Sequence, residues 1–149
     1  MSYLQFPASN LLKVIDTGGE NIGAFQLQEP TELKYIVLNT YIKGTVGGSE
    51  RMRLKVYASS LKNTALATSD WVYWSDIDGI GTGNWLGWVR FDFDLQPLND
   101  DYYHYLDIET SGYTRNGNTH YLAAVCEYCV TLNSLDGDIG VHMEIIGER

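Results

Sequence analysis

Three observations predict an all-β chain, an antiparallel β-sandwich of about eight strands with a jelly-roll-like layout. Apolar and polar residues alternate with period two almost from end to end, the signature of strands that bury one face. The alternating stretches are short and are punctuated by Gly, Asn and Asp turns, as in sandwiches and barrels. No stretch sustains the period of an amphipathic helix; Ser59 to Ala65 offers one turn at most.

Taken in order, Leu11 to Ile15 reads as a first strand, stopped by Asp16-Thr17-Gly18-Gly19. Ala24 to Gln28 is a short strand with Phe25 and Leu27 on one face, closed by Pro30. Leu33 to Lys43 is long, with Ile36, Leu38 and Ile42 on one side. Arg51 to Ala58 alternates cleanly: Met52, Leu54 and Val56 are expected inside, Arg51, Arg53 and Lys55 outside. Ala67 to Trp74 and Trp85 to Leu95 flank a glycine-rich loop expected to be a flexible hairpin connection, and Phe91, Phe93 and Leu95 alternate with Arg90, Asp92 and Asp94. Tyr102 to Thr110, His120 to Thr131 and Val141 to Ile146 complete the set.

The 149 residues make one domain, residues 1–149, large enough to bury a core; residues 1–12, with the apolar Tyr3 and Phe6, read as a docking arm. Eleven Tyr and four Trp exclude intrinsic disorder. The net charge of −9 disfavours nucleic-acid binding, because phosphate backbones are repelled. No apolar stretch approaches a membrane span, and the N-terminus, interrupted by Pro7 and without a basic region, does not read as a signal peptide.

Motifs for chemistry are sparse. Cys126 and Cys129 lack a second ligand pair for zinc and the strand-to-helix context of a redox motif, so they read as reduced thiols in a cytoplasmic setting. His104, His120 and His142 fall on three strands without ligand spacing and read as scattered surface histidines. No serine stands in a nucleophile elbow, so the chain is expected not to be an enzyme. Asp76, Asp78 and Asn84 bracket the glycine-rich loop and supply oxygens of the kind Ca²⁺ takes, but too few for tight chelation. No cofactor is therefore expected, with structural Ca²⁺ as the weaker alternative.

Aromatics are the densest feature. Trp71, Tyr73, Trp74, Trp85 and Trp88 crowd both arms of that loop. Flat rings pack cores and interfaces, and on an exposed face they stack on sugars; the period places Trp71 and Tyr73 on one face and Trp74 on the other. Some strands are also apolar on their second face. Tyr35, Val37 and Tyr41, Tyr103 and Tyr105, and Tyr121 and Val125 would project from three of them, which suggests cover by a loop or by a partner subunit.

From Trp85 to Arg149, the run WVRFDFDLQPL, then YYHYLDIETSGY, NGNTHYLAAV and the ending HMEIIGER resembles small jelly-roll accessory proteins of tailed-phage virions. The resemblance is one of layout over less than half the chain. It implies a non-enzymatic capsid decoration (cement) protein or tail-fibre module, made in the host cytoplasm and carried on the virion. Its partners would be copies of itself, with a trimer fitting a threefold or fibre axis, and other virion proteins. The alternative expectation is a carbohydrate-binding module that holds a glycan on the tryptophan cluster.

Overall fold

A computed structural model describes residues 2–5, 12–27, 30–44, 46–59, 61–77, 85–116, 120–124, 126–130 and 143–148. The described elements are all strands apart from one 3₁₀ turn: β1 (Ser2–Gln5), β2 (Leu12–Ile15), β3 (Gly19–Gln26), β4 (Thr31–Lys43), β5 (Arg51–Tyr57), β6 (Ala65–Thr68), β7 (Val72–Tyr73), the turn Trp74–Asp76, β8 (Trp85–Leu98), β9 (His104–Ser111), β10 (His120–Ala124), β11 (Cys126–Val130) and β12 (Met143–Glu148). Among the described residues no helix is long and apolar enough to cross a membrane.

The strands form two packed sheets. In the first, β4 is central: β8 runs along one edge from Thr31 to Ile42, while β12 and β10 lie end to end along the other. Strand β1 extends this sheet beyond β12, and β2 extends it beyond β10. The second sheet runs β11-β3-β9-β5, with β6 and β7 end to end on the far edge of β5. Among the described residues, every pairing is antiparallel except β3 with β11. Ser2–Gln5, expected as part of a docking arm, is thus a paired strand; Phe6 lies outside the described residues.

Alternation builds the core as expected in β5 and β9, where every second residue is buried. Ile36, Leu38, Ile42, Val89 and Phe91 from the first sheet meet Phe25, Met52, Leu54, Val56, Leu106 and Ile108 from the second. Trp74 is fully buried against them, its backbone N–H donating to the Glu50 carbonyl at 3.1 Å. Tyr113 closes one end, its hydroxyl donating to the Ile15 carbonyl at 2.9 Å.

Four expectations are corrected. The strand expected from Ala67 to Trp74 is two short strands and a turn, because Ser69 breaks the run: its N–H bonds to Leu54 O and its hydroxyl accepts from Leu54 N, both at 2.9 Å. Strands β7 and β8 belong to different sheets, so the glycine-rich segment between them is a crossover and not a hairpin. His120 to Thr131 divides into β10 and β11, again in different sheets. Leu95 is 41% exposed and does not continue the Phe91–Phe93 face. Between the Tyr35–Asp92 and Leu33–Gln96 pairs β8 carries extra residues, and Leu95 takes φ +40° in the resulting bulge.

Candidate binding surfaces

The aromatic residues singled out in the sequence are dispersed. Trp74 is in the core. Trp85 packs against the end of the core, its ring lying over Gly87, where an added Cβ would meet Cζ2 at 2.6 Å. Trp88 projects from the outer face of the first sheet and is 47% exposed. Trp71 and Tyr73 lie on the outer face of the second sheet, locked by arginines of β5. The Arg51 and Arg53 guanidiniums stand 4.4 and 4.1 Å from the Trp71 ring centroid, and Arg51 Nη1 donates to the Tyr73 hydroxyl at 3.1 Å. The five rings do not form one platform.

The residues expected at an interface also divide. On the outer face of the first sheet, β4 presents Tyr35, Val37 and Tyr41, each half-buried. Their register partners on β8 include Asp92 and Arg90, with Trp88 opposite Asn39 between them. Arg90 covers Tyr35, its guanidinium 3.8 Å from the ring centroid, and bonds Asp92 at 2.7 Å. Backbone pairing brings Tyr3 and Ile146 into the row of Tyr35, and Tyr121 into the row of Ile42. Tyr105 belongs instead to the second sheet, opposite Tyr57; Tyr103 precedes β9 and is half-buried. Val125 lies outside the described residues.

Asp76 ends the 3₁₀ turn and is exposed, whereas Asp78 and Asn84 lie outside the described residues. No group of three or more His, Cys, Asp or Glu among the described residues is placed to hold a metal. His104 corrects the expectation of surface histidines: it is fully buried, stacked on Phe25 at 5.2 Å between centroids and tilted against Tyr102 at 4.9 Å. Its parity in β9 puts it on the inner face with Leu106 and Ile108. Burial lowers its pKa from 6.5 to about 4, an effect the Phe25 backbone offsets only in part. His120 is described through its backbone and His142 lies outside the described residues.

Sequence reading missed an open depression of about 490 Å³ on the outer face of the second sheet. Three adjacent strands line it in register. Row by row, Gly19 faces Glu109 and then Arg53; Asn21 faces Asp107 and then Lys55; Tyr57, paired with Tyr105, lines one end. Glu109 bonds Arg53 at 3.1 Å and Lys55 at 2.8 Å. Asp107 Oδ1 takes Lys62 Nζ at 2.6 Å and Asn21 Nδ2 at 3.1 Å. Burial pushes the Glu109 carboxyl up, but hydrogen bonds from Lys55 and Arg53 and their charge hold it below its ordinary value. Gly19 lets β3 approach β9 closely beside the hollow: with φ +142°, an added Cβ would sit 2.6 Å from the Ile108 carbonyl. Its rim, Thr17 to Gly19, is pinned: Gly18 N–H donates to Thr110 Oγ1 at 3.0 Å and Arg115 N–H to Thr17 Oγ1 at 2.9 Å. The available sequence signal was alternate acids, Asp107 and Glu109, set against alternate bases on β5; their pairing depends on strand order.

Comparison with family models, with curated proteins and with solved structures finds no match.

Proposed function

We propose that this chain is a non-enzymatic structural protein of a tailed-phage virion, a capsid decoration (cement) or tail accessory protein, that works through the outer face of its first sheet. The observation that carries this reading is Trp88, nearly half exposed on a sheet face whose central strand offers Tyr35, Val37 and Tyr41. Large exposed rings beside other apolar side chains favour burial against a partner.

The strand order supports a jelly roll beneath that surface. Strands β2, β3, β4 and β5 pair antiparallel with β10, β9, β8 and β6. The result is one long hairpin rolled so that β2-β10-β4-β8 faces β3-β9-β5-β6, the nesting of two Greek keys found in viral capsid and lectin domains alike.

The occupant proposed for the Trp88 face is a second copy of the chain. Arg90 and Asp92 sit two residues apart beside Trp88, so a symmetry-related copy can set acid against base around an aromatic centre. Light scattering over a dilution series tests self-association, and mass spectrometry of purified virions tests location. A strictly monomeric mass at high concentration removes self-assembly, and absence from virions removes the virion reading. The rival reading as a carbohydrate-binding module draws on a different observation, the polar depression of the second sheet.

A further inference from the structure

We propose that the depression on the outer face of the second sheet is a binding site for a neutral polyhydroxylated ligand, a saccharide, held by Asp107, Asn21, Glu109, Lys55 and Lys62. The inference deepens the carbohydrate-binding reading, moves it away from the tryptophans, and does not rest on the virion reading.

Size and shape come first. About 490 Å³ lies within the range of small-molecule sites and accommodates one or two sugar rings. The rim, Thr17 to Gly19, is tied to Thr110 of β9 and to Arg115 beyond it, so the hollow is formed before anything enters it.

The chemistry of the lining narrows the ligand. Its bases are already matched to acids: Lys62 to Asp107, and Lys55 to Glu109. An ionic ligand would have to break one of these pairs, whereas a neutral hydroxyl adds to them. Both described contacts of Asp107 fall on Oδ1, and the residue lines the depression. A carboxylate offers about four acceptor sites and an ammonium three donors, so each pair retains both functions. Vicinal hydroxyls, each donor and acceptor at once, complement such paired groups. Tyr57 supplies an aromatic flank to the hollow. Stability alone does not account for the ladder, because partly exposed ion pairs contribute only about 0–1 kcal/mol each.

The test starts with the intact protein on an array of neutral and acidic oligosaccharides. The best-retained saccharide is then titrated while backbone amide shifts are followed by NMR. The expected result is retention of neutral saccharides, with shifts centred on residues 18–21 and 107–109. Asp107→Asn and Asn21→Ala should each weaken binding by at least about tenfold, as expected for loss of well-placed polar contacts, while Trp88→Ala leaves it unchanged. Melting curves verify that each variant is folded; if one is not, the shift map of the unaltered protein decides. No retention, retention of acidic glycans alone, shifts centred on Trp88, or unchanged binding by folded Asp107→Asn would each overturn the proposal. Failure of the virion and self-association tests leaves this outcome unaffected.

Discussion

Two large rings that look alike in sequence have opposite physical roles. Trp74 is fully buried, so Trp74→Ala should destabilise by about 3–5 kcal/mol, the cost of an unfilled aromatic cavity. Trp88, at 47% exposure, should cost at most about 1 kcal/mol when replaced by Ala, because little is left empty. Urea denaturation of both variants measures the contrast. His104 makes a second prediction at this scale. Its folded pKa of about 4 lies below its ordinary value of 6.5, so between those values the unfolded chain holds the extra proton. The His104 contribution is therefore complete above pH 6.5 and is lost as pH falls toward 4, by at most about 3 kcal/mol. Glu109, held below its ordinary 4.5, adds a further loss below that pH, because its carboxylate must be protonated out of its ion pairs. Melting temperature should thus fall from pH 7 to pH 4, and His104→Phe should flatten the upper part of that fall. An unchanged slope in the His104 variant would remove the imidazole from the account.

At the scale of elements, departures from ideal strands control edges and turns. Strand β8 is long and pairs with β4 along one side only among the described residues, the situation that invites edge-to-edge aggregation. The bulge at Leu95, Pro97 beyond it, and the outward Arg90, Asp92 and Asp94 interrupt the edge. Near its middle, the Asp70 N–H donates to the Asp92 carbonyl at 2.9 Å, so the second sheet covers part of it. The proposed association through Trp88 would therefore use a sheet face and not strand addition. Where β9 ends, Gly112 takes φ +74°, and a Cβ there would sit 2.6 Å from the Ser49 carbonyl. Gly112→Ala should consequently destabilise by about 1–3 kcal/mol through backbone strain and the clash. Gly48, with nothing within 4 Å of an added Cβ, should tolerate Ala or gain up to about 1 kcal/mol from a stiffer unfolded chain. Parallel thermal melts of the two variants test this.

At the scale of the whole molecule, charge and apolar surface oppose each other. A net charge of −9 repels a second copy at long range, but the repulsion is screened beyond about 8 Å at physiological ionic strength. The proposed apolar contact at the Trp88 face is short-ranged and would survive screening. Self-association should accordingly strengthen as NaCl rises from low to physiological concentration, and Trp88→Glu should abolish it while leaving the melting temperature nearly unchanged. Sedimentation or light scattering at two salt concentrations measures both effects. Weaker association on adding salt would mean that ion pairs, and not the aromatic face, hold the copies together.

Local pattern was sufficient for the all-β class, most strand positions and the inward set Met52, Leu54, Val56, Phe91 and Phe93, because a strand's two-residue period ties facing to position in the chain. It also separated Trp74 from Trp71 and Tyr73. What it could not provide was the sheet to which each strand belongs. The same alternation suits either sheet, so the split of β10 from β11, the crossover from β7 to β8 and the division of the tyrosines between opposite faces were decided by tertiary pairing. The bulge that turns Leu95 outward escaped for a related reason: extra residues in one strand acquire meaning only against the partner that lacks them. The polar depression depends most heavily on tertiary structure. Asn21, Asp107 and Lys55 are distant in sequence, and only the order β3-β9-β5 places an amide, an acid and a base in one row on one face.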